Sequence, residues 1–277
     1  MDASAQLTEY APGMPWAIVQ LKNQWFAIAS AEIREILMVP EVAAVPGEPD
    51  YIRGVINLRG RVMPLVDLRK RLGLTSVIEE AQAFCDLMAR REEDHRRWLA
   101  ELEASVRERR KFQLTTDPHQ CAFGKWYDAY KPDNPWVAAL LGKFKEPHGK
   151  IHGVAIQVGE LVAAGQHEQA ALRIAETRAT TLSEMIQLFA ELKNLTNQQQ
   201  RETVVVLAAG GRTLGVCVDS AVSVEKLAAG SVEPLPAGAA AVDGGVVCRV
   251  AKRAGHPEPL LLIEAGRILD RHIKLAA

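Results

Sequence analysis

Val55-Ile56-Asn57-Leu58-Arg59-Gly60-Arg61-Val62-Met63-Pro64-Leu65-Val66-Asp67-Leu68 sets two short apolar runs on either side of an Arg-Gly turn. Runs this short and this rich in Val, Ile and Leu predict strands. The same style extends toward the N-terminus. Ala17-Ile18-Val19-Gln20-Leu21 and Trp25-Phe26-Ala27-Ile28, separated by Lys22-Asn23-Gln24, predict a hairpin. Between the two pairs, Ala31 to Leu37 puts Ile33, Ile36 and Leu37 at helical spacing and predicts one amphipathic turn, and Val42 to Val45 leads into a Pro46-Gly47 turn. The last 75 residues repeat the style in Val204 to Leu207, the turn Ala209-Gly210-Gly211-Arg212, Leu214 to Val218, Val246 to Val250 and Leu260 to Ile263. An apolar turn with Ile268, Leu269 and Ile273 follows. Short strands at close intervals predict a small barrel or sandwich. Neither flank alone has much apolar surface to bury, so the two are expected to pack as one β-rich unit.

The segment between them is different. Residues 75–202 hold 10 of the 34 Gly and Pro residues in 128 positions, whereas the flanks hold 24 in 149, so the middle is permissive of helices and the flanks are rich in turns. Ala81 to Lys111 lacks Gly and Pro, and Phe84, Leu87, Met88, Trp98, Leu99 and Leu102 fall at helical spacings. A second long helix is predicted from about Gln166 to Asn197. Asp117-Pro118 and Glu146-Pro147 read as two further helix starts. The expectation is an α+β multidomain chain, with residues 1–74 and 203–277 forming one domain and residues 75–202 inserted as a bundle of four helices.

Composition removes several classes of function. With 277 residues, 33 basic and 34 acidic side chains and a net charge of -1, nothing favours a polyanion, so no nucleic acid partner is expected. Four scattered cysteines argue for reduced thiols, and with no long apolar run the expectation is a cytoplasmic protein that does not insert in a membrane.

Five of the seven histidines lie in the middle segment. His148 and His152, four residues apart, point the same way from a helix and make half of a metal site. Cys121 supplies a thiolate and His95 a third imidazole, a donor set that suits tetrahedral zinc. Each residue also has a plainer reading: an exposed helical histidine pair, a small buried Cys121, a solvated His95. His119 is a competing ligand, although its place after Pro118 favours the outside of a turn. Cys85 lies ten residues from His95, about 15 Å along the helix, and cannot share the site. Cys217 and Cys248 read as strand core. Asp94 either orients the His95 imidazole or is a solvated acid. A zinc hydrolase would need an open coordination position and a carboxylate base, but Gly149 follows His148, and no phosphate loop or nucleophile elbow is present. No catalysis is expected.

Two resemblances extend this reading. Asp94-His95-x-x-Trp98, Cys121-Ala122-Phe123-Gly124-Lys125-Trp126-Tyr127 and Pro147-His148-x-x-x-His152 resemble the chemoreceptor zinc-binding (CZB) domain. The likeness implies a four-helix bundle holding zinc through His95, Cys121, His148 and His152, with redox sensing of hypochlorous acid at Cys121. The flanks resemble CheW, through Ile33-Arg34-Glu35-Ile36, Ile52-Arg53-Gly54-Val55-Ile56-Asn57-Leu58-Arg59-Gly60, Pro64-Leu65-Val66-Asp67-Leu68-Arg69 and Gly215-Val216-Cys217-Val218-Asp219-Ser220. That likeness implies two small five-stranded β-barrels, a scaffold role between methyl-accepting chemoreceptors and a CheA-type histidine kinase in chemotaxis, and receptor contact by Glu35 and Arg59. The plainer account of Arg59 is that it precedes a turn glycine and pairs with a nearby acid. The expectation is therefore a non-catalytic signalling adaptor that senses zinc or oxidant. The alternative is a scaffold whose zinc is purely structural and whose bundle serves docking or pairing of two copies as a homodimer.

Overall fold

The computed structural model describes residues 13–198, 200, 202–209, 211–228, 230–235, 245–253 and 255–269. The chain divides into two compact units, residues 1–77 with 201–277 and residues 78–200.

The first unit is built from strands β1 (Pro15–Leu21), β2 (Gln24–Ala29), β3 (Ile33–Met38), β4 (Ile52–Leu58) and β5 (Arg61–Asp67) and a short helix α1 (Leu68–Arg71). It resumes after the helical unit with β6 (Thr203–Ala209), β7 (Arg212–Val218), β8 (Ser220–Lys226), β9 (Val232–Pro234), β10 (Val247–Arg253) and β11 (His256–Ile263). Six strands form one sheet in the order β8-β1-β2-β11-β10-β9, and five form another in the order β3-β6-β7-β5-β4. Both sheets therefore mix strands from the two flanks. The joins include the parallel pairs β2–β11 and β5–β7, which no tight turn could make. Among the described residues neither sheet closes into a barrel.

Alternation gives each sheet two apolar faces. Val19, Leu21, Phe26 and Ile28 meet Val66, Val205, Leu207, Leu214 and Val216 in a core shared by the two sheets. Trp16, Ile18, Ala27, Leu260 and Leu262 form a cluster on the far face of one sheet, and Ile56, Met63, Leu65, Val204 and Val206 on the far face of the other. The β4–β5 connection is a two-residue turn in which Arg59 and Gly60 both take positive φ (53° and 81°), as tight hairpins require. The Gly60 N–H donates to Asn57 Oδ1 at 3.0 Å.

Ala31 to Leu37 is corrected from a helical turn to a strand. Only Ser30–Glu32 coils, as one 3-10 turn, and Ile33–Met38 pairs with β6. That ladder pairs one edge of the strand, with a register shift between Ile33 and Glu35, and leaves Ile36 and Met38 facing out, 47% and 57% exposed. Val42 to Val45 makes a single bridge, Ala43 to Val55. Gly54 faces that bridge at φ +139, where a Cβ would lie 2.2 Å from the Ala43 carbonyl oxygen. Gly210 and Ile273 lie outside the described residues.

The parallel β2–β11 pair brings Glu32 near Glu264, just beyond the two strand ends. Burial first, and the Glu264 charge second, push the Glu32 carboxyl up from 4.5 to about 7. The folded chain then holds a proton that the unfolded chain has released between those values. Stability is present below about pH 4.5 and is lost as pH rises toward 7. Glu32→Gln is expected to flatten the pH dependence of urea unfolding over that interval and to stabilise the β unit at neutral pH by about 1–3 kcal/mol. A variant as pH-sensitive as the parent would refute this.

The second unit contains α2 (Val77–Arg107), α3 (Ala122–Ala129), α4 (Pro135–Gly142), α5 (Lys145–Ala163), α6 (His167–Thr177) and α7 (Ser183–Gln198). The last two are joined through a π-helical segment, Arg178–Leu182, so the expected long helix exists with one widened turn. Thr177 and Thr180 flank and enter that turn, each hydroxyl donating to the carbonyl four residues earlier. Asp117-Pro118 does not start a helix: Asp117 Oδ1 accepts from the His119 N–H within a turn, and α3 begins four residues later behind Cys121. Helix α4 is additional to the four helices expected. Its signal is present in Asn134-Pro135, where Asn134 caps the N–H groups of Trp136 and Val137 and Pro occupies the first turn. Met88, Leu99, Phe123, Phe144, Ile151, Ile174, Met185, Phe189 and Leu192 are among the residues that fill the core.

Candidate metal centre

His95 enters the core because Trp98, Leu99 and Leu102 follow it at three, four and seven residues, on the buried stripe of α2. Its polar neighbours had pointed to the surface, yet it is only 3% exposed. His148 and His152 sit one turn apart on α5, 5% and 1% exposed, with ring centroids 5.0 Å from each other. Their rings lie 5.2 and 5.8 Å from that of His95. Cys121 is the N-cap of α3, its Sγ accepting the Gly124 N–H at 3.1 Å and lying 3.2 Å from His148 Nε2. One ligating atom from each of His95, Cys121, His148 and His152 falls within 4.8 Å of all the others.

The hydrogen bonds around the cluster leave its inner atoms available. The His95 Nδ1–H donates to the Arg91 carbonyl at 2.6 Å, which fixes the tautomer and leaves a lone pair on Nε2. That Nε2 is buried without a hydrogen-bond partner, and His152 has for its two buried ring nitrogens no closer partner than the Thr115 backbone, outside hydrogen-bond geometry. Orphaned buried nitrogens are costly, and a shared cation is the arrangement that satisfies several at once. Burial, and then the neighbouring imidazoles, lower His148 to about 3, and burial with His95 lowers His152 to about 4. Both are therefore neutral at physiological pH, the form that can donate a lone pair to a metal. Burial pushes the Cys121 thiol up, against the pull of the Gly124 and Phe123 amides, so a bound cation would be what holds the sulfur as thiolate. Zinc in a tetrahedron at 2.0 to 2.3 Å sets its ligands about 3.3–3.8 Å apart. The four donor atoms lie within 4.8 Å of one another, so a small inward shift would bring them to that spacing, and three neutral imidazoles with one soft sulfur and no carboxylate are a donor set that suits that ion.

The other candidates fall elsewhere. His119 is exposed, with Nδ1 2.8 Å from Asp128 Oδ2. Asp94 is an exposed partner of Arg91, so the Arg91 carbonyl, not the Asp94 carboxylate, orients His95. Cys85 packs against α7, its sulfur 3.6 Å from Asn197 Oδ1. Cys217 lies in strand core, where burial pushes its thiol up to about 12. His272 lies outside the described residues. On the β unit, Glu35 and Arg59 form an exposed ion pair at 2.7 Å.

A pocket of about 370 Å³ opens onto the cluster, with Trp98, Leu114, Thr115 and Gln120 in its wall and Cys121 and His152 reached from it. The Trp98 Nε1–H donates to the Thr115 carbonyl at 2.8 Å and pins this wall to α2. Gly124 holds the other side. A Cβ there would lie 1.8 Å from the Pro118 carbonyl oxygen, which is also 3.3 Å from Cys121 Sγ. Gly124→Ala is expected to displace the loop that seats the sulfur and to weaken zinc affinity by about 10–100-fold in a competition titration, the range for disturbed supports of metal ligands. Unchanged affinity would rule the contact out as a support.

The CheW-like domain family model matches residues 16–88, and the chemoreceptor zinc-binding domain model matches residues 95–158. The chemotaxis protein CheW of Bacillus subtilis is 39% identical over 66 residues, covering 24% of this chain and 42% of the relative. The probable chemotaxis protein CheW of Rhizobium etli is 42% identical over 55 residues (20% and 36%), and protein PilI of Pseudomonas aeruginosa 33% over 83 residues (26% and 47%). The chain thus spans less than half the length of these curated relatives. The scaffolding protein TtCheW of Thermoanaerobacter tengcongensis aligns over 93% of both chains at 13% identity, with a TM-score of 0.44, too low to carry a fold assignment. No helix among the described residues is long and apolar enough to cross a membrane. The chain therefore carries a CheW-like domain and, following it, a chemoreceptor zinc-binding domain.

Proposed function

We propose that the chain is a non-catalytic chemosensory adaptor that couples methyl-accepting chemoreceptors to a CheA-type histidine kinase, and that His95, Cys121, His148 and His152 hold a zinc ion whose thiolate reports oxidant. The CheW-like match supports the adaptor role, with Glu35 and Arg59 as the receptor contact and residues 203–277 completing the domain that 1–74 begin. Residues 75–202 are read as the inserted helical module, in which α4 is added to the four helices expected.

The observation that carries the zinc reading is the convergence of three neutral imidazoles on one sulfur, with buried ring nitrogens of His95 and His152 left unsatisfied. Bound zinc would supply charge that keeps the sulfur ionised and nucleophilic. The thiolate would take chlorine from hypochlorous acid as hydroxide leaves with the O–Cl bonding pair, and water would then displace chloride from the sulfenyl chloride to give a sulfenic acid that is a poorer metal ligand. The half-buried Cys121 lies on the open pocket, which gives a small oxidant access.

Zinc-loaded protein treated with equimolar hypochlorous acid is expected to release its zinc to a chromogenic chelator. Cys121→Ser should cut that oxidant-dependent release at least tenfold, measured per zinc bound. The enclosed four-donor set also suits a purely structural ion. Zinc that stays bound while Cys85 and Cys248 are consumed by oxidant would select that second reading.

A further inference from the structure

The geometry points to Cys121 as a site of reversible mixed-disulfide formation with a low-molecular-weight thiol that carries both carboxylate and ammonium groups, of the cysteine and glutathione class, seated in the pocket beside the metal centre. This rests on the oxidant reading of Cys121.

The first observation is an absence among the described cysteines of the helical unit. That unit has only Cys85 and Cys121, and Cys85 is ten residues from His95 along α2, roughly 15 Å away along the axis. Its thiol faces α7, at the Lys193 carbonyl and Asn197, not the metal centre. A disulfide needs Cα atoms within about 4.4–6.8 Å, so Cys85 is no resolving partner for Cys121. A sulfenic acid without a resolving thiol goes on to irreversible sulfinic acid unless a thiol from solution intercepts it.

The second observation is the pocket. At about 370 Å³ it holds the volume of more than ten waters, each near 30 Å³, and it reaches the sulfur directly. Trp98, Leu114 and Phe123 give it an apolar floor suited to a thiol's methylene arm, while Asp94, Arg97 and Gln120 give it charge of both signs and an amide. Arg97 pairs with Glu93 and Asp94 with Arg91 on the exposed helix face. Such pairs exchange readily for a ligand's carboxylate and ammonium. In the step itself an S–S bond forms as the S–O bond of the sulfenic acid breaks, and the leaving oxygen takes the incoming thiol's proton as water. The sulfenic sulfur is reduced and the incoming sulfur oxidised. The adduct takes one of four donors from the metal centre and shields that sulfur until a reductant restores it.

The zinc-loaded full chain is treated in two arms, hypochlorous acid followed by glutathione, and glutathione disulfide alone, with dimedone trapping of sulfenic acid in parallel. Peptide mass spectrometry is expected to find one glutathione on Cys121 and none on Cys85, reversed by dithiothreitol. Leu114 is partly exposed, so Leu114→Trp fills the pocket from outside the core and should slow adduct formation about tenfold. Arg97→Glu should slow glutathione several-fold and leave neutral 2-mercaptoethanol unchanged. No adduct at Cys121 in either arm, or parental rates in Leu114→Trp, overturns the proposal. Dimedone trapping without adduct overturns it while the oxidant reading stands. Adduct from glutathione disulfide without dimedone trapping supports the thiol site and removes the hypochlorous acid step.

Discussion

Stripping zinc with a chelator is expected to lower the melting temperature of the helical unit by roughly 10–20 °C. An ion present at a thousand times its dissociation constant contributes about 4 kcal/mol to the folded state. A unit of this size moves by about 3–5 °C per kcal/mol. The effect is a shift and not complete unfolding because the unit has its own apolar core around Leu99, Phe123, Phe144 and Phe189, unlike a minimal zinc peptide. His152→Ala should reproduce most of the shift and abolish the response to added zinc. His119→Ala, remote from the cluster and paired with Asp128, should leave both unchanged. Calorimetry with and without chelator decides the matter, and coincident transitions would mean that the four side chains bind no ion.

Glu202→Gln is expected to cost the β unit about 3–5 kcal/mol in urea unfolding. Glu202 and Arg53 pair at 2.5 Å across the join between the flanks, with side chains only 4% and 17% exposed. The same guanidinium nitrogen lies 3.2 Å from Cys217 Sγ. Removing the carboxylate charge leaves the mostly buried guanidinium with only the Cys217 sulfur and the Asp67 charge beside it, so much of its desolvation goes unrepaid. The double replacement Arg53→Met with Glu202→Leu should therefore recover most of the loss and fall within about 1–2 kcal/mol of the parent. A single variant as stable as the parent would show that Arg53 relaxes to water on losing its partner.

Much of the candidate centre is legible in the sequence because its side chains carry local signals. His148 and His152 at four-residue spacing and Cys121 ahead of a helical run are patterns that a helix converts directly into direction. His95 was harder. Arg96 and Arg97 beside it suggested solvent, and only its register with Trp98, Leu99 and Leu102 reveals the buried face. The second support of the site, the close approach of Gly124 to Pro118, depends on a loop path that no spacing rule supplies. In the β unit the hairpins were readable, but β3 was not. Ile33, Ile36 and Leu37 fit a helical period, and the competing ladder comes from β6, some 170 residues later in the chain. β8 escaped for a related reason: Val222 and Val224 are exposed, so its apolar residues do not report burial.

The interleaving of strands has a consequence for biosynthesis. When the ribosome has released only the first 74 residues, β2 lacks β11, β5 lacks β7 and β3 lacks β6, so neither sheet has its interior neighbours. Residues 78–200 emerge next and carry every contact of their own core within that span. The nascent N-terminal segment must therefore wait, with apolar strand edges unsatisfied, while the intervening helices acquire their structure. Translation speed and chaperone engagement over that interval would then govern the yield of native protein more strongly than the final stability of either unit.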